Sequence, residues 1–175
     1  MSKFPTELSK CVLDYIDYGN CFATVEYIVE KQKDPISGIE TFGFVGPRMV
    51  RISPLDIVFD PTAARFEDSP KIIRSIKTLG DLKLEIENNP EKGYFAEVFD
   101  KVTSLRQKFS GANQGDVSKN SQFVVDGFTS FLDYFKSNYV EVLDFYGDIY
   151  DPDKQTLLRN QVITVVDRSY VIRQN

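Results

Sequence analysis

Asp56 and Asp60 stand four residues apart in RISPLDIVFDPTAARFEDSPKIIRS, close to Pro54 and Pro61. Carboxylates suit hard cations, so a metal site is the first chemistry to weigh. In an extended segment, however, residues four apart are separated by roughly 13 Å, and no third ligand is fixed nearby. The prolines instead call for a corner between strands, where aspartate is a good acceptor of backbone N–H groups. Pro54, Asp56, Asp60 and Pro61 are therefore read as a structural corner. Glu141, Asp144, Asp148, Asp151 and Asp153 form the strongest acidic stripe. It lacks the glycine-centred twelve-residue loop and terminal glutamate of a calcium loop, and reads as a solvated strand face and turn.

Other catalytic chemistries find no foothold. GFVGPRM at 43–49 has no GK[ST], and Pro47 removes a donor that a phosphate loop needs. Ser53 has no basic partner arranged beside it, and the chain contains no histidine. That removes the usual general base and the commonest zinc ligand. Cys11 and Cys21 match no common zinc spacing and read as free thiols. Lys71, Arg74 and Lys77 read as a basic surface patch on a strand rather than a DNA groove. No cofactor and no metal is expected.

The composition belongs to a folded chain. Of 175 residues 42% are hydrophobic, including 14 phenylalanines and nine tyrosines, enough for one main core with amphipathic aromatics at its edge. The formal net charge of -5 argues against broad nucleic-acid binding, which clustered lysine and arginine would carry. No apolar span is long enough for a membrane helix, and MSKFPTELSK lacks a signal-peptide core. Synthesis in a reducing cytoplasm and no membrane partner are expected.

Elements follow from periodicity and punctuation. A helix is predicted from about 6 to 18, ended at Gly19-Asn20, with Gly19 as the switch from helix to strand. CFATVEYIVEKQ (21–32) and TFGFVGPRMVRI (41–52) read as two strands of a long hairpin around the DPISG turn, one face apolar and the other wetter. Gly43 and Gly46-Pro47 are expected to interrupt the second strand. KIIRSI (71–76) is β-like, and 78–89 reads as a helix with Thr78 as N-cap and Asp81 completing a capping-box variant. Pro90 starts a new element, and helical spacing runs from 91 to 109. SGANQGDVSKNS (110–121) reads as an exposed loop, and 123–135 as a helix that Gly127 weakens. Strands follow at the end, with turns at 151–155 and Asp167-Arg168. Phe95, Phe99, Phe109, Phe128, Phe131 and Phe135 are expected to build an aromatic helical core. The fold class is α+β: long antiparallel strands at both ends of the chain, packed with three to four intervening helices.

RMVRISPLDIVFDPTAARFEDSPKIIRSIKTLGDLKLEI resembles the middle of a tailed-bacteriophage portal protein, the head-to-tail connector. In that family a valine- and aromatic-rich strand after a glycine precedes a second strand, followed by a spaced proline–aspartate run. Those places are held here by Gly19 and the strand from Cys21, then Val50, Pro54, Asp56, Asp60-Pro61, Ala63, Asp68, Ile73, Arg74, Thr78 and Leu82. YVEVLDFYGDIYDPDKQTLLRNQVITVVDRSYVIRQ is similar to the strand pair that portals place after their wing helices, ending on basic Arg173. The resemblance spans about residues 8 to 174, and the order and spacing of its motifs carry it.

It implies a single wing-like fragment over 1–175, without the family's clip, stem helix and crown. It also implies a ring of copies, usually twelve, at the capsid vertex, through which DNA is packaged and ejected. The packaging terminase, capsid proteins and tail or adaptor proteins would dock on that ring. Such a protein is a non-enzymatic component of the virion, assembled in the host cytoplasm. An acidic outer region would discourage DNA from adhering there, and salt bridges would join neighbours. Two other readings fit the residues: a free-standing adaptor module that binds proteins through its Phe/Tyr-rich surface, and a metal-dependent hydrolase using Asp56, Asp60 and the carboxylates of 144–153.

Overall fold

A computed structural model of the chain describes residues 4–33, 40–109, 127 and 131–175. The fold is α+β, with antiparallel strand clusters towards each end of the chain and several helices beside them. It divides into two compact units, Met1–Ile57 and Val58–Asn175.

In the first unit, α1 (Phe4–Tyr18) is followed by β1 (Phe22–Lys33) and β2 (Glu40–Ile52). Gly19 ends α1 with φ +74°, a conformation glycine adopts without steric cost, while its N–H reaches the Tyr15 carbonyl at 3.0 Å. The hairpin runs in register from Phe22 opposite Ile52 to Lys33 opposite Glu40, with one shift at Glu30/Lys31. There Glu30 faces Phe44 and Lys31 faces Phe42, so Gly43 is the extra residue of a bulge. Gly46 and Pro47 do not interrupt the strand; they pair with Ile28 and Tyr27. Proline is tolerated there because every strand of a two-stranded sheet is an edge. The DPISG turn lies outside the described residues.

The second unit is a five-stranded sheet in the order β3 (Ile57–Phe59), β4 (Lys71–Thr78), β5 (Tyr139–Asp151), β6 (Thr156–Val166) and β7 (Tyr170–Gln174). Strands β4 to β7 pair antiparallel in sequence. Between β4 and β5 come α2 (Leu79–Asn88), α3 (Ala96–Phe109) and α4 (Phe131–Lys136). Thr78 caps α2: its hydroxyl accepts the Asp81 N–H at 3.0 Å and donates to the Asp81 carboxylate at 2.7 Å.

Helix α3 begins later than the sequence spacing indicates. Pro90–Lys92 close a 3-10 turn, Gly93 turns left-handed at φ +70°, and Tyr94 bridges to Arg173 on β7. Phe95 then donates its N–H to the Ile172 carbonyl at 2.7 Å, so residues that could have extended the helix cover a sheet edge instead. The helix expected over 123–135 is described only as α4, with Gly127 in a turn at φ +90°. The loop expected at 110–121 lies outside the described residues.

Among the described residues the core is mainly aliphatic. Leu82 of α2 and Val102 of α3 pack on Val140, Val142, Val166 and Ile172, each at most 1% exposed. Phe99 lies against this cluster, partly buried. Phe95 does not belong to it and is 46% exposed, because its backbone is held at the edge of β7. Phe135 is half-buried and meets Tyr134 edge-to-face with ring centroids 5.2 Å apart. Phe128 and the side chains of Phe109 and Phe131 lie outside the described residues.

Candidate functional site

The corner residues do separate work. Ser53 caps a 3-10 turn over Pro54–Asp56, accepting the Leu55 N–H at 3.3 Å. Asp60 accepts both the Thr62 N–H, at 2.9 Å, and the Thr62 hydroxyl, at 2.7 Å. Those two bonds hold its carboxyl below the usual aspartate range. Ser69, 1% exposed, ties the other end by accepting the Asp60 N–H at 2.9 Å and donating to the Asp60 carbonyl at 3.1 Å. Pro61 follows as the first residue of the turn.

The acidic stripe is not one solvated face. Asp151 accepts the Asp153 and Lys154 N–H groups and so closes the β5–β6 turn. Asp148 accepts the Asn160 N–H at 2.8 Å across a bulge, and Asp144 takes the Thr164 hydroxyl at 2.6 Å. Glu141 is 1% exposed. Among the described residues no three acidic, cysteine or histidine side chains are gathered as a metal would need. A cleft of about 340 Å³ beside the bulge is lined by Glu67, Asp68, Lys71, Asp148, Asn160 and Gln161.

Glu141 belongs to a charged core that sequence reasoning missed. Arg74 donates to it from β4 at 2.6 Å, and Arg168 donates twice, at 2.7 and 2.9 Å. Burial by itself raises the Glu141 pKa, but the two arginines outweigh it and hold the carboxyl below the ordinary glutamate range. Beside it, Arg106 grips Asp167 with two parallel bonds of 2.8 and 2.7 Å and reaches the Tyr139 carbonyl at 2.6 Å. The Tyr134 hydroxyl accepts the Glu141 N–H and donates to Asp167, and burial first, then the Asp167 charge, pushes its pKa up. Three elements and two strand ends are thereby tied together at one end of the sheet.

The β6–β7 turn supplies half of that network. Asp167 and Arg168 both have positive φ, at 50° and 57°, and the Ser169 N–H reaches the Val166 carbonyl at 3.1 Å, as in a type I′ turn. A non-glycine residue there costs of order 1 kcal/mol or more, which the ion pairs of both side chains offset. The DR dipeptide between two valine-rich runs was the available signal. The expected basic patch is also dispersed: Lys71 sits over the Phe66 ring at 4.3 Å, Arg74 joins Glu141, and Lys77 pairs with Glu85 at 2.6 Å.

Both units carry apolar side chains outside the core. Helix α1 turns its Cys11 and Asp14 side inward, each 4% exposed, with Asp14 ion-paired to Arg51 of β2 and Glu7 accepting the Arg51 N–H at 3.2 Å. Its apolar stripe points to solvent: Leu8, Val12, Leu13, Tyr15 and Ile16 are 43–70% exposed. On the hairpin, Val25 and Tyr27 are more than 70% exposed on the face they share with Val29, Val45 and Pro47. In the sheet, α2 and α3 pack on the Val140, Val142 and Val166 side. The register puts Ile72, Leu143, Phe145, Ile163, Val165 and Val171 on the opposite face, around the Arg74–Glu141–Arg168 cluster. An antiparallel sheet with one solvated face normally carries polar residues there.

Neither a family model nor a curated protein matches this chain.

Proposed function

We propose that this chain is the wing-like part of a tailed-phage portal subunit, with a structural rather than catalytic role. Copies of it form a ring at one capsid vertex, and DNA passes through the channel during packaging and ejection. The packaging terminase, capsid and tail proteins dock on that ring in the host cytoplasm and in the virion. The observation that carries this reading is the amount of apolar surface facing outward on both units, with Tyr27 at 72% exposure in the first and Val58 at 67% in the second. A chain that leaves runs of large apolar side chains exposed is built for association. The order and spacing of the Val50–Leu82 motif gives that association its context.

Two further observations support it. Of the carboxylates that a hydrolase would gather, Asp60 and Asp151 serve turns, Asp148 a bulge and Asp144 the Thr164 hydroxyl. The net charge of -5 suits a body past which DNA moves without sticking. An antibody against this chain should label a single vertex of intact tailed particles of the phage that encodes it. Labelling spread over all capsid faces, or confined to the lysate and absent from virions, would overturn the proposal. The same surface in a free-standing adaptor would give the second of those results.

A further inference from the structure

We infer that Cys11 and Cys21 are a disulfide site, a clasp between α1 and the start of β1 that a small-molecule disulfide such as oxidised glutathione closes. The site lies wholly within the first unit and does not depend on the portal reading.

Both cysteines are free thiols here, Cys11 buried at 4% exposure and Cys21 exposed. The hairpin register and the contacts of Arg51 bring them to the same level of the fold. Ala23 lies opposite Arg51, whose N–H reaches Glu7 at 3.2 Å and whose guanidinium pairs with Asp14. The start of β1 is therefore level with the Glu7–Asp14 stretch of α1 rather than with its end at Tyr18. Glu7, Cys11 and Asp14 stand four and three residues apart, on one side of the helix. Cys11 and Asp14 are the buried residues of that helix, so Cys11 faces the strands that Arg51 belongs to. Cys21 enters the hairpin two residues before Ala23.

Electrostatics agree with this placement. Burial pushes the Cys11 thiol up, and the next cause is the charge of Cys21, ahead of that of Asp14 one helical turn away. A charge acts more strongly the nearer it is, so the two sulfurs are close neighbours. Cys21 belongs to neither α1 nor β1. Its backbone can therefore adjust to the Cα separation of up to roughly 7 Å that a disulfide needs.

The exchange balances without any other reactant. The Cys21 thiolate attacks one sulfur of oxidised glutathione, that S–S bond breaks, and one glutathione leaves reduced. Cys11, as thiolate, then attacks the Cys21 sulfur of the mixed disulfide, and the second glutathione leaves reduced. The two cysteines lose two hydrogens in all, and the two glutathiones gain them. In a reducing cytoplasm the clasp stays open, and in oxidising surroundings it closes and fastens α1 to the hairpin.

The test incubates the native full chain with oxidised glutathione and digests it, unreduced, at aspartate. Cuts at Asp14 and Asp17 separate the two cysteines, so mass spectrometry reads a bond between them directly. An intrachain Cys11–Cys21 bond should be the main product, formed at least roughly tenfold faster than in urea because folding holds the thiols together. Amide hydrogen exchange in α1 should slow on oxidation and recover with dithiothreitol. Cys11→Ser should stop at a glutathione adduct on Cys21, with Cys11→Ala replacing it if circular dichroism shows that it unfolds. A native chain that stops at the Cys21 adduct, pairs with a second chain through Cys21, or forms the bond no faster than in urea overturns the site. Unchanged exchange in α1 after the bond has formed overturns the clasp.

Discussion

Arg106 and Asp167 show what one buried pair does for this chain. Their side chains are 5% and 3% exposed and joined by two parallel bonds. Removing one partner of such a pair leaves a buried charge uncompensated and costs about 3 to 5 kcal/mol. Asp167→Asn tests this, because asparagine tolerates the same left-handed backbone while removing the charge and one of the two acceptor oxygens. Urea titration should show a loss of that size, and a loss under about 1 kcal/mol would mean the pair is no stronger than a surface one. Glu141 adds a pH dependence. Its folded pKa is depressed, so its contribution is present above the unfolded value and lost as pH falls through the folded one. The wild type should therefore lose stability below about pH 4 more steeply than Glu141→Gln; parallel curves would refute this. The sequence showed these residues as an acidic stripe, a basic triplet and a turn. Their convergence was not legible, because it depends on which strand lies beside which.

At the scale of elements, local signals carry further. The Thr78 cap and the helix behind it follow from side chains within one turn, and Thr78→Ala should cost about 0.5 to 2 kcal/mol in chemical denaturation. No measurable change would mean that packing of Leu82 alone holds α2. Gly147 is the opposite case. A Cβ at that position would lie 2.9 Å from Pro70 Cβ and 3.0 Å from Pro70 Cα, in a strand that meets Pro70 only through folding. Gly147→Ala should destabilise by about 1 to 3 kcal/mol, read from the denaturation midpoint. An unchanged midpoint would show that the corner before β4 gives way. The strand boundaries near the C-terminus were legible from DPDKQ and DR, whereas the start of α3 was not. Residues 91–95 have helical spacing but spend their backbone bonds on β7.

For the whole molecule, the distribution of apolar surface matters more than its amount. The native chain should bind an apolar fluorescent dye, and Ile16→Asp and Val171→Lys should each lower the signal. An absence of dye binding in the wild type would mean those faces are already covered in solution. The expectation of a phenylalanine-built core failed at Phe95 for a reason of scale. Periodicity shows that a face is apolar but not whether that face turns towards the core or away from it.

By itself the sequence determined the local grammar of this protein: the helix closed at Gly19, the long hairpin, the Thr78 cap, the turns of the last three strands and the α+β class. These depend on backbone preferences and neighbours within a few residues. Only the tertiary structure decided that Glu141 is buried between two arginines and that α1 lies with its apolar stripe outward. Each of those depends on contacts between residues distant along the chain, and burial and ion pairing are set by what lies across that distance.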